Sequence, residues 1–289
     1  MKNITNTLIC VLFAIALSGY GFCSFFIEPG VDETYAAISD DVKSRSVNIP
    51  AIMYHLVIND KSQAGEYVIT PEEFENDVSY LINNGYTPVF VSEVSQYVKG
   101  EGILPEKPVL ITFDDGYYNN YLNAFKIAKK HNIKINIALI GKYTQMYSSN
   151  GEINELYTHL TYDHIREMAE SGLVEFGNHT YDMHKITALR RGVQKAGLES
   201  DEEYRRALQD DFIKIHNDIK NNCGIDLKYF AYPYGFLSDM AESVLRDMGY
   251  TAFLTCDKGD NTIHSGLDDT IRIKRYNRPS GKAISEILK

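Results

Sequence analysis

The chain has 289 residues, 44% of them hydrophobic, and 29 Lys and Arg stand against 39 Asp and Glu for a formal net charge of -10. That length and apolar content support one substantial core in a single domain. The acidic balance leaves no basic footprint for phosphate, so nucleic acid is excluded as an expected partner, while a neutral or partly cationic glycan is compatible with it.

From the N-terminus, Lys2 precedes an almost wholly apolar run, Leu8 to Leu17, that reads as an export signal. With Ser18 to Phe26 counted in, it approaches the ~20 residues needed to span a bilayer, so residues 1–26 are expected to be either a cleaved signal peptide or a membrane anchor. Cys23 follows Gly21-Phe22, and a Phe at that place fits a lipoprotein cleavage box poorly. Residues 27–48 are polar with scattered small side chains and read as a linker, which leaves 49–289 as the folded domain. Cys223 and Cys256 lie beyond the leader, in different elements, and are expected to stay unpaired and buried.

Strand and helix then alternate. Ala51 to Val57 is a strand, and Thr70-Pro71-Glu72-Glu73 is a capping box that opens a helix to about Asn84, stopped by Gly85. A short strand at Thr87 to Val91, a brief helix from Ser92, a strand at Val109 to Phe113 and a helix from Tyr117 to His131 follow. Ile133 to Ile140 reads as a buried parallel strand, and Gly141 to Glu155 as irregular. Thr161 opens a helix ending at Gly172, and Val174 to Asn178 is a strand. Thr187 to Ser200 reads as a solvated loop or groove lip before a long helix, Asp201 to about Asn222. Tyr229 to Tyr232, Ala252 to Thr255 and Ile271 to Lys274 are late strands, Ser238 caps a helix to Met248, and Ser280 to Leu288 ends the chain as a helix. This rhythm is α/β and implies a parallel sheet, closed or doubly wound; chemistry-bearing residues after several strands favour a barrel.

Those residues cluster at two strand ends. The run Val109-Leu110-Ile111-Thr112-Phe113 ends on Asp114-Asp115-Gly116, and Val174-Glu175-Phe176-Gly177 delivers His179 and His184. A divalent transition metal is held well by one carboxylate and two neutral imidazoles, with positions left open for water and a substrate carbonyl. Neighbouring residues on a strand face opposite ways, so the two acids reach one point only if the backbone turns, which Gly116 permits. One acid then ligates metal and the other accepts a proton. The five-residue step from His179 to His184 fits a loop folding back on a metal, not a helix face.

Thr112-Phe113-Asp114-Asp115-Gly116 resembles the first motif of the polysaccharide deacetylase family, the NodB homology domain of carbohydrate esterase family 4. His179 to His184 resembles the second, in the form with one extra residue between the histidines, and Phe230-Ala231-Tyr232-Pro233-Tyr234-Gly235 the third. The matches run from about Ile49 to the C-terminus. The resemblance implies a distorted (β/α)7 barrel, with Asp115, His179 and His184 as metal ligands, Asp114 as general base and the Tyr234 amide as an oxyanion donor. Ala231 stands where family members commonly carry an Arg that braces the base. Arg275 is a candidate substitute, its plain alternative being a surface Arg at a strand end.

The family's late Leu-x-His acid has no clean match. His264 reads as part of an exposed loop, whereas His55, in Ala51-Ile52-Met53-Tyr54-His55, resembles the pocket histidine of deacetylases acting on extracellular poly-N-acetylglucosamine. A core histidine bonded to backbone is the other reading of His55. Tyr54, Tyr117, Tyr118, Tyr181, Tyr232 and Tyr234 are possible walls of a sugar-stacking groove. The expected function is a secreted or membrane-tethered, metal-dependent deacetylase that removes N-acetyl groups from a GlcNAc-containing polysaccharide, either an exopolysaccharide of the poly-N-acetylglucosamine type or peptidoglycan. Zinc is the expected ion, with cobalt, nickel or iron also accepted by such ligands, and a monomer working at the cell envelope is expected. The rivals are an O-acetyl esterase of the xylan type and an inactive glycan-binding barrel.

Overall fold

The computed structural model describes residues 46–266 and 268–288, so the expected leader and residues 27–45 of the expected linker lie outside the described residues. In chain order the strands begin with β1 (Ser46–Asn48), β2 (Ala51–Tyr54), β3 (Leu56–Val57) and β4 (Val68–Ile69). Helix α1 (Pro71–Asn83), strand β5 (Thr87–Pro88), helix α2 (Val91–Val98) and strand β6 (Pro108–Phe113) follow. A π-helical turn at Asn120–Ala124 leads into α3 (Phe125–His131), then β7 (Ile135–Leu139), α4 (Gly141–Asn150), α5 (Tyr162–Glu170) and β8 (Val174–Asn178). The last part holds α6 (Asp201–Cys223), β9 (Tyr229–Ala231), α7 (Asp239–Asp247), β10 (Ala252–Leu254), β11 (Thr262–His264), β12 (Ile271–Ile273), β13 (Tyr276–Asn277) and α8 (Ile284–Ile287).

Strands buried on both faces carry continuous apolar runs, as all six residues of β6 and all five of β7 do. They assemble in the order β12-β10-β9-β8-β7-β6-β2-β13, every pair parallel, with β5 added beside β6. This is the expected distorted (β/α)7 barrel: β2, β6, β7, β8, β9, β10 and β12 form its wall, and the hydrogen-bonded path ends at β12 and β13 without closing. Side chains alternate across the wall. Ala51, Leu110, Ala138, Ala231, Ala252 and Leu254 pack one cluster, whereas Ile52, Ile111, Ile137, Phe176, Phe230 and Phe253 pack another with the helices. Gly177 makes room for the Tyr229 ring, since a Cβ there would lie 2.1 Å from Tyr229 Cε2.

The capping box at Thr70 forms as its spacing requires, with Glu73 N donating to Thr70 Oγ1 at 3.2 Å and Thr70 N to Glu73 Oε2 at 2.9 Å. Several expectations are corrected. Gly141 to Glu155 is helical as far as Asn150, because Gly141, Thr144 and Tyr147 are buried against the rest of the fold, and packing overrides a Ser/Asn-rich composition. The end of the expected linker, Ser46–Asn48, pairs antiparallel with Thr262–His264, which reads as a loop by sequence. The strand expected over 51–57 breaks at His55. The terminal helix is confined to Ile284–Ile287. Among the described residues no helix is long and apolar enough to cross a membrane.

Candidate metal centre

Five of the expected site segments leave the same end of the sheet, each after the C-terminus of a parallel strand: His55 after β2, Asp114-Asp115 after β6, His179 to His184 after β8, Tyr234 after β9 and Arg275 after β12. Asp115 carries φ +71° and Gly116 also +71°, so the turn that separates the two acids begins at Asp115 itself, one residue before the glycine expected to supply it. A left-handed non-glycine residue costs roughly 1–2 kcal/mol, and Asp tolerates it better than most. Thr180 (φ +75°) and Tyr234 (φ +57°) share this conformation, so three of the four non-glycine residues with positive φ among the described residues flank the site. Strain of this kind concentrates where surrounding structure must hold a functional geometry.

The loop bearing the histidines is held from three sides. Asn178 Oδ1 accepts the Thr180 amide at 2.7 Å, the amides of Gly141 and Lys142 at the start of α4 donate to the carbonyls of Thr180 and Tyr181, both at 3.0 Å, and the Asp211 carboxylate on α6 accepts the amides of Tyr181 at 2.7 Å and Asp182 at 2.8 Å. Burial pushes the Asp211 carboxyl up to about 6, against the lowering effect of those two amides. No sequence signal singled out Asp211; its partners are backbone groups 29 and 30 residues away.

Nε2 of His179 lies 3.4 Å from Asp115 Oδ1, Nε2 of His184 lies 3.3 Å from the same oxygen, and the ligand atoms of the three residues fall within 4.8 Å of one another. Nδ1 of His179 donates to the Ala231 carbonyl at 2.8 Å, which fixes the tautomer and leaves Nε2 as a lone pair facing Asp115. Asp115 Oδ1 is buried without a hydrogen-bond donor. A convergence of acceptors with no proton between them fits a divalent cation. Burial lowers His184 to about 4, so its ring is neutral and able to ligate at ordinary pH.

Asp114 points the other way and meets Arg275. The guanidinium donates from Nη1 to Oδ1 at 2.7 Å and from Nη2 to Oδ2 at 2.8 Å, while its Nε donates to the Thr255 carbonyl at 2.9 Å. Arg275 is completely buried, which overturns the surface reading of this residue. Burial would raise the Asp114 carboxyl, but the Arg275 charge wins and lowers it, so the acid stays ionised.

Asp114, Asp115, His179 and His184 line a cavity of about 660 Å³ together with His55, Tyr67, Tyr117 and Tyr234. His55 Nδ1 is buried without a partner, its ring meets Tyr67 edge-on at 4.8 Å, and burial holds its pKa below the ordinary value even with Asp114 and Asp115 nearby. The Tyr234 ring stacks on His184 with centroids 4.5 Å apart. Of the tyrosines expected as walls, Tyr117 and Tyr234 line the cavity, whereas Tyr54, Tyr181 and Tyr232 are core, Tyr54 donating to Asp77 at 3.1 Å. His264 sits on β11 and does not line it. Cys223 and Cys256 are both free, but Cys256 is exposed at the cavity, contrary to the expectation of a buried thiol. Glu66, Tyr67 and Asn277 also line it and were not singled out by sequence.

The polysaccharide deacetylase family model matches residues 101–253. A poly-beta-1,6-N-acetyl-D-glucosamine N-deacetylase of Escherichia coli (strain K12) is 27% identical over 254 residues, 82% of this chain and 38% of that protein, so the chain spans well under half the length of this curated relative. Among solved structures, IcaB from Ammonifex degensii superposes with a TM-score of 0.65 at 28% identity, covering 79% of this chain and 91% of the other. A de-N-acetylase from Aggregatibacter actinomycetemcomitans superposes with a TM-score of 0.70 at 25% identity, covering 83% and 98%.

Proposed function

Because the chain belongs to the polysaccharide deacetylase family, we propose that it is a metal-dependent hydrolase that removes N-acetyl groups from a polysaccharide of the poly-β-1,6-N-acetylglucosamine type. The observation that carries this reading is the joint convergence of Asp115, His179 and His184 beside an ionised Asp114 clamped by Arg275. A bound divalent ion, zinc being the expected one, would supply Lewis acidity toward the acetamide carbonyl and lower the pKa of water. Asp115 and the two histidines would hold it.

Asp114 takes the proton of the attacking water. Its carboxylate is kept ionised and aimed by the two-pronged Arg275 contact, so orientation rather than basicity is what the pair contributes. The Tyr234 backbone N–H donates toward the oxygen on which negative charge develops, and the left-handed turn at that residue supports this use. His55 lines the same cavity and protonates the leaving amine; burial lowers its pKa, so the ring rests neutral and must first take up the proton it delivers. Arg275 also weighs against the inactive-barrel reading, because it braces Asp114 from the segment after β12, where the third motif lacks its Arg. A secreted or membrane-tethered location rests on the apolar leader, and the substrate type on the names of the relatives.

The test is acetate release from β-1,6 and β-1,4 GlcNAc oligomers, peptidoglycan fragments and acetylated xylan, with zinc and with chelator. Release from the β-1,6 oligomer that chelator abolishes is the expected result. Release from xylan alone would make the protein an O-acetyl esterase, and retained glycan binding with no release from any substrate would make it a binding barrel.

A further inference from the structure

Part of the cavity lining takes no part in the proposed chemistry. Asp114 is neutralised by Arg275 and Asp115 faces the two histidines, whereas Glu66, exposed at the rim of the same cavity, has no ion-pair partner among the described residues. Its backbone is fixed: Asn277 Nδ2 donates to the Glu66 carbonyl at 3.1 Å, and the Leu56 amide donates to the Tyr67 carbonyl at 3.1 Å. Beside it Tyr67 is half exposed while its ring packs on His55. Burial raises the Tyr67 phenol, and the Glu66 charge adds to the rise, as expected of close neighbours.

An unbalanced carboxylate next to an open aromatic face is the chemistry that holds an organic cation, by charge and by cation–π contact within about 6 Å of the ring. At about 660 Å³ the cavity falls in the middle of the roughly 300–1,000 Å³ range of ligand sites. We propose that Glu66 and Tyr67 form a subsite for a protonated amino sugar, a unit of the polymer that has already lost its acetyl group. This rests on the deacetylase reading, because the product of that reaction is an amine that carries a positive charge at neutral pH. The subsite makes a partly deacetylated chain a better substrate than a fully acetylated one, so earlier cuts favour cuts nearby.

The experiment compares two β-1,6 pentamers of GlcNAc, one fully acetylated and one with a single free amine, with zinc-loaded wild type and Glu66→Gln. For wild type at low salt the amine-bearing oligomer should show a KM lower by about two- to fivefold, the range of one exposed ion pair, and high salt should erase the difference. In Glu66→Gln the ratio of the two KM values should fall to one, whatever the overall rate. A ratio unchanged by the substitution overturns the subsite. If wild type releases no acetate from either oligomer, the deacetylase reading fails by itself, and binding of a glucosamine pentamer then decides the subsite: weaker binding by Glu66→Gln supports it, and equal binding overturns it.

Discussion

The two terminal nitrogens of Arg275 meet the two carboxylate oxygens of Asp114 at 2.7 and 2.8 Å, with both side chains closed off from solvent, although 161 residues separate them in sequence. Removing one member leaves the other as a buried unpaired charge. Arg275→Leu should therefore lower unfolding free energy by about 3–5 kcal/mol, read by denaturant titration. Arg275→Lys keeps the charge but not the fork, so it should fold while kcat drops on the order of 100-fold through misaimed Asp114. Full activity in the Lys variant would remove Arg275 from the positioning role.

Asp211 holds the loop between His179 and His184 through the backbone amides of Tyr181 and Asp182. Asp211→Asn replaces one of the two acceptors of the Tyr181 and Asp182 amides with a donor. Zinc affinity, measured by competition with a chromophoric chelator, should fall about 10- to 100-fold, as for other outer partners of ligating histidines, while far-UV dichroism stays the same. Unchanged affinity would show that the loop is held well enough by the α4 amides alone.

His159 is buried between Tyr117 and Tyr143, with ring centroids 4.6 and 4.5 Å away, and burial lowers it from 6.5 to about 4. The folded state resists protonation that the unfolded chain accepts, so the unfolded state binds more protons between pH 6.5 and about 4. Stability present above pH 6.5 should be lost as pH falls through that window, by at most about 3 kcal/mol. His159→Phe should flatten this part of the stability profile. An equally steep profile in the variant would assign the acid sensitivity to other groups.

How much of this was legible in the sequence follows from the range of the forces involved. The helix start at Thr70 and the buried strand at Val109 to Phe113 are set by neighbours within a few residues, and the sequence reading places both. Asp115, His179 and His184 were readable because each ends or follows such a strand, and strand ends in a parallel barrel converge. Arg275 was named as a substitute brace, yet its burial depends on Thr255 and Asp114, distant in sequence, and no local pattern reports that. Asp211, Glu66 and Tyr67 act through backbone positions or the cavity rim, where composition carries no signature. Helix α4 was missed for a related reason: its stability comes from the buried Gly141, Thr144 and Tyr147, not from the propensity of its Ser and Asn residues.

Gly177 offers a check on the barrel itself. An added Cβ would lie 2.1 to 2.4 Å from three atoms of the buried Tyr229 ring, which cannot swing away inside a packed wall. Gly177→Ala should destabilise by about 1–3 kcal/mol in thermal or denaturant unfolding. A variant as stable as wild type would mean that Tyr229 packs elsewhere.

The most direct test of the central claim is anomalous diffraction from a crystal soaked in zinc, collected on wild type and on Asp115→Ala. One strong peak shared by Asp115, His179 and His184 in the wild type, absent from the variant, is the expected result. A wild-type map with no peak among those three side chains, or with the three standing apart, would contradict it.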